Sequence, residues 1–131
     1  MSAAAAWQVA AVSVGAAVGA VARWQAGVFF HRPGAALPMG TLLVNCAGGF
    51  LIGIALVAFG RVPNDLLRLT LVTGFLGGLT TFSTFSGESL ALIERGQWGW
   101  ALGHSLAHVL GALVCAAAGA GLARLCLPLP A

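Results

Sequence analysis

The sequence predicts an all-α integral membrane protein with four transmembrane helices. Three observations lead there. Of 131 residues, 60% are apolar and only 7% are charged, whereas a soluble domain is about a quarter charged. Mean hydropathy is +0.98. Finally, no Asp, Glu, Arg or Lys occurs in 1–22, 33–60, 69–87 or 96–123, stretches of 22, 28, 19 and 28 residues. Roughly 20 apolar residues cross a bilayer core.

Each span carries its own markers. Span one covers about 5–30, with Trp7 near one interface and Arg23-Trp24 near the other; amphipathic rings favour headgroup depth, and an arginine there can snorkel. Its first cation is Arg23, so it lacks the charged start of a signal peptide and is expected to be retained. The turn His31-Arg32-Pro33-Gly34 ends it. Span two covers about 38–59, between Pro38 and Gly60-Arg61-Val62-Pro63. Span three covers about 65–94, span four about 98–125, and Pro128 and Pro130 close the chain. The whole chain reads as one transmembrane domain, with a lipid bilayer as its surroundings and a bacterial inner membrane as its expected location.

Other classes fall on the same composition. Six arginines against three acids give +3, but no basic cluster exists to neutralise phosphates, so no nucleic-acid partner is expected. Cys46, Cys115 and Cys126 lack CxxC spacing and read as small buried residues. An enzyme is not expected, since no Ser-His-Asp set is present and the HxxxH pair lacks the intervening glutamate of a metalloprotease.

Small residues recur at helix spacing: Gly15 and Gly19, Gly49 and Gly53, then Gly103, Ala107, Gly111, Cys115 and Gly119. Such stripes let helix backbones approach closely in lipid, either inside one bundle or against a second copy. Four helices enclose little space, which favours a pore built by a dimer. The arginines divide evenly. Arg61, Arg68 and Arg124 lie on one side, and Arg23, Arg32 and Arg95 on the other. That leaves the positive-inside rule nothing to act on. The balance points to insertion in both orientations and an antiparallel, dual-topology homodimer; dominance by one end is the alternative.

Span three carries the chemistry. Its string Gly74-Phe75-Leu76-Gly77-Gly78-Leu79-Thr80-Thr81-Phe82-Ser83-Thr84-Phe85-Ser86-Gly87-Glu88 does not suit a lipid-facing helix. Gly77-Gly78 at mid-membrane depth predicts a broken helix, tolerated where protein or a watery cavity surrounds it. Unwound carbonyls at such a break can hold a hard cation such as sodium, and the next helix start offers N–H groups to an anion. At 100° per residue, Thr80, Thr81, Thr84 and Glu88 share one sector, and Phe82, Phe85 and Ser89 the next. Phenyl edges carry the positive rim of the ring quadrupole, so they can face an anion without charging the path; plain core packing is the other use of such a pair. In span two, the Asn45 amide either bonds helices together or lines a path.

The segments Gly40-Thr41-Leu42-x-x-Asn45 and Gly74 to Phe85, with Gly19-Ala20-x-x-Arg23-Trp24, closely resemble the Fluc family of fluoride channels, also called the CrcB family. The likeness runs over all four spans. It implies an antiparallel dimer with two fluoride pores and a structural sodium ion at the dyad. It further implies that backbone carbonyls of Gly77 and Thr80 hold sodium and that Phe82 and Phe85 flank the fluoride path. By the same likeness Asn45 matches the pore amide, Thr81, Ser83 and Thr84 a hydroxyl stretch, and Arg23 a vestibule arginine. Span four departs from the family, with His104, His108 and Ala112 where hydroxyls are common. His104 and His108 share a helix face; they serve interhelical hydrogen bonds, a metal, or, for His108, donation to fluoride, since a neutral imidazole keeps one N–H. The expected function is passive fluoride export that relieves fluoride toxicity. The rival, a small dual-topology multidrug/proton antiporter, needs a titratable carboxylate deep in a span, and spans one, two and four contain none.

Overall fold

The computed structural model describes residues 2–127 apart from 32, 34 and 36. Arg32, Gly34, Pro128 and Pro130, used above to delimit spans or balance charge, lie outside the described residues. Helix α1 is Ala3–Phe29, opened by the Ser2 hydroxyl accepting from the Ala5 N–H at 3.2 Å. Helix α2 is Met39–Arg61. The third span begins with α3 (Asp65–Arg68), whose Asn64 cap accepts from the Leu67 N–H. It continues as a π-helical segment over Leu69–Leu76, a single turn α4 (Gly77–Leu79) and helix α5 (Phe82–Glu94). Helix α6 is Trp98–Cys126. Four helical stretches, Ala3–Phe29, Met39–Arg61, Asp65–Glu94 and Trp98–Cys126, are long and apolar enough to cross a membrane.

The interruption in span three does not fall at Gly77-Gly78. Those residues are helical, and the backbone becomes extended at Thr80 (φ −81°, ψ 155°) and Thr81 (φ −152°, ψ 117°). The reason is packing. A Cβ at Gly78 would collide with the Ala16 carbonyl of α1, so this glycine serves close approach of two helices rather than loss of helix. The wheel drawn through an unbroken helix therefore fails at Thr80 and Thr81 and holds only from Phe82 onward.

Small residues set the rest of the packing. Helix α2 lies along α6, and α1 lies along the π-helical segment. Gly15 and Gly19 meet the backbone of Thr70 and Phe75, Gly49 and Gly53 meet Ala112 and Ala116, and Gly119 meets Phe50. Most of the stripes are thus used inside one chain. Gly103 is the exception, with open space where a Cβ would go. Between α5 and α6, Gly96 takes φ +71°, and its N–H donates to the Ile93 carbonyl at 2.9 Å while that of Gln97 donates to Leu92; glycine adopts this left-handed turn without steric cost.

Burial is sparse and inverted relative to a soluble protein. A small apolar core of Val44, Leu76 and Leu79 sits where α1, α2 and span three meet. Large aliphatic side chains such as Val14, Val18, Leu110 and Leu113 point outward, as they do toward lipid. Among the described residues, the large side chain most completely enclosed is polar: His104, at 1% exposure.

Candidate functional site

The extended pair Thr80-Thr81 needs new partners for the backbone groups a helix would satisfy. Asn45 of α2 supplies them. Its Oδ1 accepts from the Thr81 N–H at 2.8 Å, and its Nδ2 donates to the Thr81 carbonyl at 3.1 Å. One carboxamide thereby pairs with one residue's backbone as a neighbouring strand would. Arg23 of α1 donates from Nε to the Gly78 carbonyl at 3.0 Å, the acceptor that Phe82 would have used in a continuous helix. On the other side of the break, Thr81 caps α5. Its Oγ1 accepts from the Thr84 N–H at 3.2 Å, and it contacts the Thr84 and Ser83 hydroxyls at 3.1 and 3.2 Å. A threonine at this position contributes about 1 kcal/mol to a helix start.

Beyond the cap stands an aromatic and imidazole layer. Phe82 and Phe85 meet edge to face with centroids 5.3 Å apart. Phe85 lies 4.7 Å from the His108 ring and 5.5 Å from that of His104, and the two imidazoles are 4.5 Å apart. His108 Nδ1 is 3.1 Å from Asn45 Nδ2. His104 Nδ1 is 3.0 Å from the Ser89 hydroxyl, and its Nε2 is 3.3 Å from Glu88 Oε2. The Thr41 hydroxyl donates to Glu88 Oε1 at 2.6 Å. One potential ligand atom from each of Glu88, His104 and His108 falls within 4.8 Å of the others.

Three cavities meet this cluster. Asn45, Thr80, Thr81, Phe82, Phe85 and His108 help line one of about 500 Å³. Arg23, Thr41, Thr81 and Thr84 border a second of about 470 Å³, and Thr41 and Glu88 a third of about 370 Å³. Of the residues singled out in the sequence, Gly77 and Thr80 join the first group, Arg23 and Thr84 the second, and Thr81 touches both. Ser83 is exposed and reaches the group only through Thr81. Two features escaped sequence reasoning: the Thr41–Glu88–His104–Ser89 chain and the bracing of the break by Arg23. The signal for the first was present, because Thr41 lies one helical turn before Asn45 and Glu88 one turn after Thr84.

Chemically, this is a surface of neutral donors and ring edges in a nearly charge-free interior. Hydroxyls, amides, imidazoles and phenyl edges bind an anion weakly enough for it to leave again. The arginine nearest the break is already engaged with a carbonyl.

Comparison with known proteins agrees with this chemistry. Residues 10–120 match the family model described as CrcB-like protein, Camphor Resistance (CrcB). A fluoride-specific ion channel of Bordetella petrii is 51% identical over 111 residues, covering 83% of this chain and 85% of the relative. A protein of the same description from Cupriavidus pinatubonensis is 52% identical over 111 residues, covering 83% and 88%. One from Aromatoleum aromaticum is 49% identical over 108 residues, covering 81% and 82%. With four apolar spans and these relatives, the chain is a multi-pass membrane protein and belongs to the CrcB family.

Proposed function

We propose that this chain is a fluoride-selective channel that lets fluoride leave the cytoplasm passively and so relieves its toxicity. The observation that carries the reading is the break at Thr80-Thr81. It gathers Asn45, Thr81, Phe82, Phe85 and His108 around one cavity whose lining, among the described residues, includes no arginine or lysine. Fluoride is small and strongly hydrated, so a path must replace its water with donors that do not trap it. The names carried by the relatives from Bordetella petrii and Cupriavidus pinatubonensis support the same ion. An antiporter would need a titratable acid exposed to its substrate. Glu88, the acid that borders a cavity here, is held by a hydrogen bond from Thr41 and lies 3.3 Å from His104 rather than standing free in that cavity.

The working unit in this reading is an antiparallel, dual-topology homodimer. The even arginine count supports it, as does the small helical bundle, which offers cavities open at its surface rather than a closed pore. A structural sodium ion fits the break. Thr81 N–H bonds to Asn45 rather than to the Gly77 carbonyl, and Thr84 N–H bonds to Thr81 Oγ1 rather than to the Thr80 carbonyl. Both carbonyls therefore lose their helical donors, and hard oxygen acceptors of this kind suit a hard cation. When bound, the ion would supply positive charge joining the breaks of two copies.

The test is growth. A bacterial strain lacking its own fluoride exporter should regain growth in fluoride medium when it expresses this chain. Unchanged fluoride sensitivity despite membrane-inserted protein would refute the reading.

A further inference from the structure

Among the described residues, three enclosed side-chain atoms lack a hydrogen-bond partner: Glu88 Oε2, His104 Nε2 and His108 Nε2. Orphaned groups of this kind are rare in native structures and call for an explanation. These three are not scattered. One ligand atom from each of the same residues lies within 4.8 Å of the other two. Helix α5 supplies the carboxylate and α6 both rings, which are 1% and 4% exposed. Two imidazoles and a carboxylate converging on one point are a ligand set for a transition-metal cation. A bare ion occupies the space among its ligands, so enclosure suits it.

Distances narrow the class. Glu88 Oε2 and His104 Nε2 are 3.3 Å apart. Tetrahedral zinc, with bonds of about 2.0–2.2 Å to nitrogen and oxygen, spaces neighbouring ligand atoms about 3.3–3.5 Å apart. The third atom reaches that spacing by moving in no more than about 1.5 Å from its 4.8 Å limit. Two ligands already have the outer contacts a metal site uses. The Thr41 hydroxyl donates to Glu88 Oε1 at 2.6 Å. The Ser89 hydroxyl, 3.0 Å from His104 Nδ1, can accept its hydrogen and leave the Nε2 lone pair free. Entry is through the cavity of about 370 Å³ that Glu88 borders, where its side chain is 18% exposed.

His108 is the ligand that must change. Asn45 Oδ1 takes the Thr81 N–H, which turns Nδ2 toward both the Thr81 carbonyl and His108 Nδ1, each at 3.1 Å. Facing an N–H, His108 Nδ1 accepts, and the neutral ring carries its hydrogen on Nε2. A metal on Nε2 moves that hydrogen to Nδ1 with no net loss of a proton, and N–H then meets N–H. We propose that Glu88, His104 and His108 form an inhibitory site for a divalent metal ion of the zinc and copper class, and that filling it drives the Asn45 amide away from Thr81. The break loses its brace and flux falls. That last consequence rests on the fluoride reading; the metal site does not.

The experiment uses the full chain in lipid nanodiscs with excess sodium, so that a sodium site does not take the added metal. Equilibrium dialysis against Zn²⁺ should show one saturable site per chain, and electron paramagnetic resonance of bound Cu²⁺ should show coupling to two imidazole nitrogens. Glu88→Gln and His108→Leu should each weaken zinc binding by about tenfold or more. His31 borders the same cavity, and His31→Ala should leave binding unchanged. Where a ligand variant does not fold, the wild-type nitrogen count decides. Asn45→Asp and Asn45→Ala both remove the opposing N–H and should tighten zinc binding several-fold. In liposomes, zinc should cut fluoride efflux by about tenfold or more and a chelator should restore it. The site is overturned by absence of saturable binding, by fewer than two coupled nitrogens, by loss of binding in His31→Ala, or by binding that Glu88→Gln leaves intact. Undiminished efflux with zinc bound, or Asn45 variants of unchanged affinity, overturns the coupling to the break. Absence of efflux from metal-free wild type overturns the channel reading, while the binding results still judge the site.

Discussion

Asn45→Ala removes the only side chain described as bonding to the Thr81 backbone, and its cost can be worked from the contacts. Thr81 loses a donor–acceptor pair at 2.8 and 3.1 Å, and His108 Nδ1 loses its 3.1 Å neighbour. An orphaned enclosed polar group costs about 1–3 kcal/mol. Hydrogen bonds between membrane helices average only about 0.6 kcal/mol, because the unfolded chain in lipid also finds partners. With two backbone groups and one ring nitrogen affected, the expected loss is about 2–4 kcal/mol. Flux should fall by tenfold or more, since the extended geometry at Thr80-Thr81 then has no partner to hold it. Reversible unfolding in mixed micelles gives the stability, and fluoride efflux from liposomes gives the flux. Ser86→Ala is the control: it removes a 2.8 Å bond to the Phe82 carbonyl within the same helix and should cost less than about 0.5 kcal/mol. An Asn45→Ala protein as stable and as active as wild type would refute the view that the amide braces the break.

Phe82→Ile and Phe85→Ile should each cut fluoride flux severely while leaving the protein folded and in the same oligomeric state as wild type, because an aliphatic chain has no positive edge; wild-type efflux in both would reduce the pair to packing. Phe85, which also contacts both imidazoles, should give the larger loss. Gly53→Ala forces a methyl into the Ala116 carbonyl and should destabilise the α2–α6 pair by about 1–3 kcal/mol, whereas Gly103→Ala, with open space, should leave monomer stability unchanged in the same micelle assay. Two lysines added between positions 31 and 36 should orient every copy one way and abolish protection of cells from fluoride. A second copy with lysines added at 61–65 should restore it on co-expression, and full activity of the first variant alone would contradict the antiparallel dimer.

The four spans were legible because charge-free length is a physical requirement of the bilayer and is written directly in composition. The break was legible as a property of span three but not in its position. Gly77-Gly78 looks like a helix breaker in isolation; only the nearness of Ala16 on α1 reveals Gly78 as a packing glycine, and that depends on the register between helices. The cap signature was in view, since Thr81 precedes a helical run and its hydroxyl is well placed to accept from the third residue beyond, yet a wheel drawn straight through the span conceals it. Asn45 was recognisable as polar and in-membrane. That its hydrogens are consumed by Thr81 and His108 follows from how α2 meets α5 and α6, which no single segment encodes. The partnership of Thr41, Glu88 and His104 joins three spans and stayed hidden for the same reason.

The central claim is selectivity for fluoride, and the direct measurement is anion efflux from liposomes holding the purified wild-type chain. Vesicles loaded with fluoride should empty rapidly once a cation shunt is opened, and matched vesicles loaded with chloride should stay loaded. Equal release of both ions, or release of neither, would contradict the account.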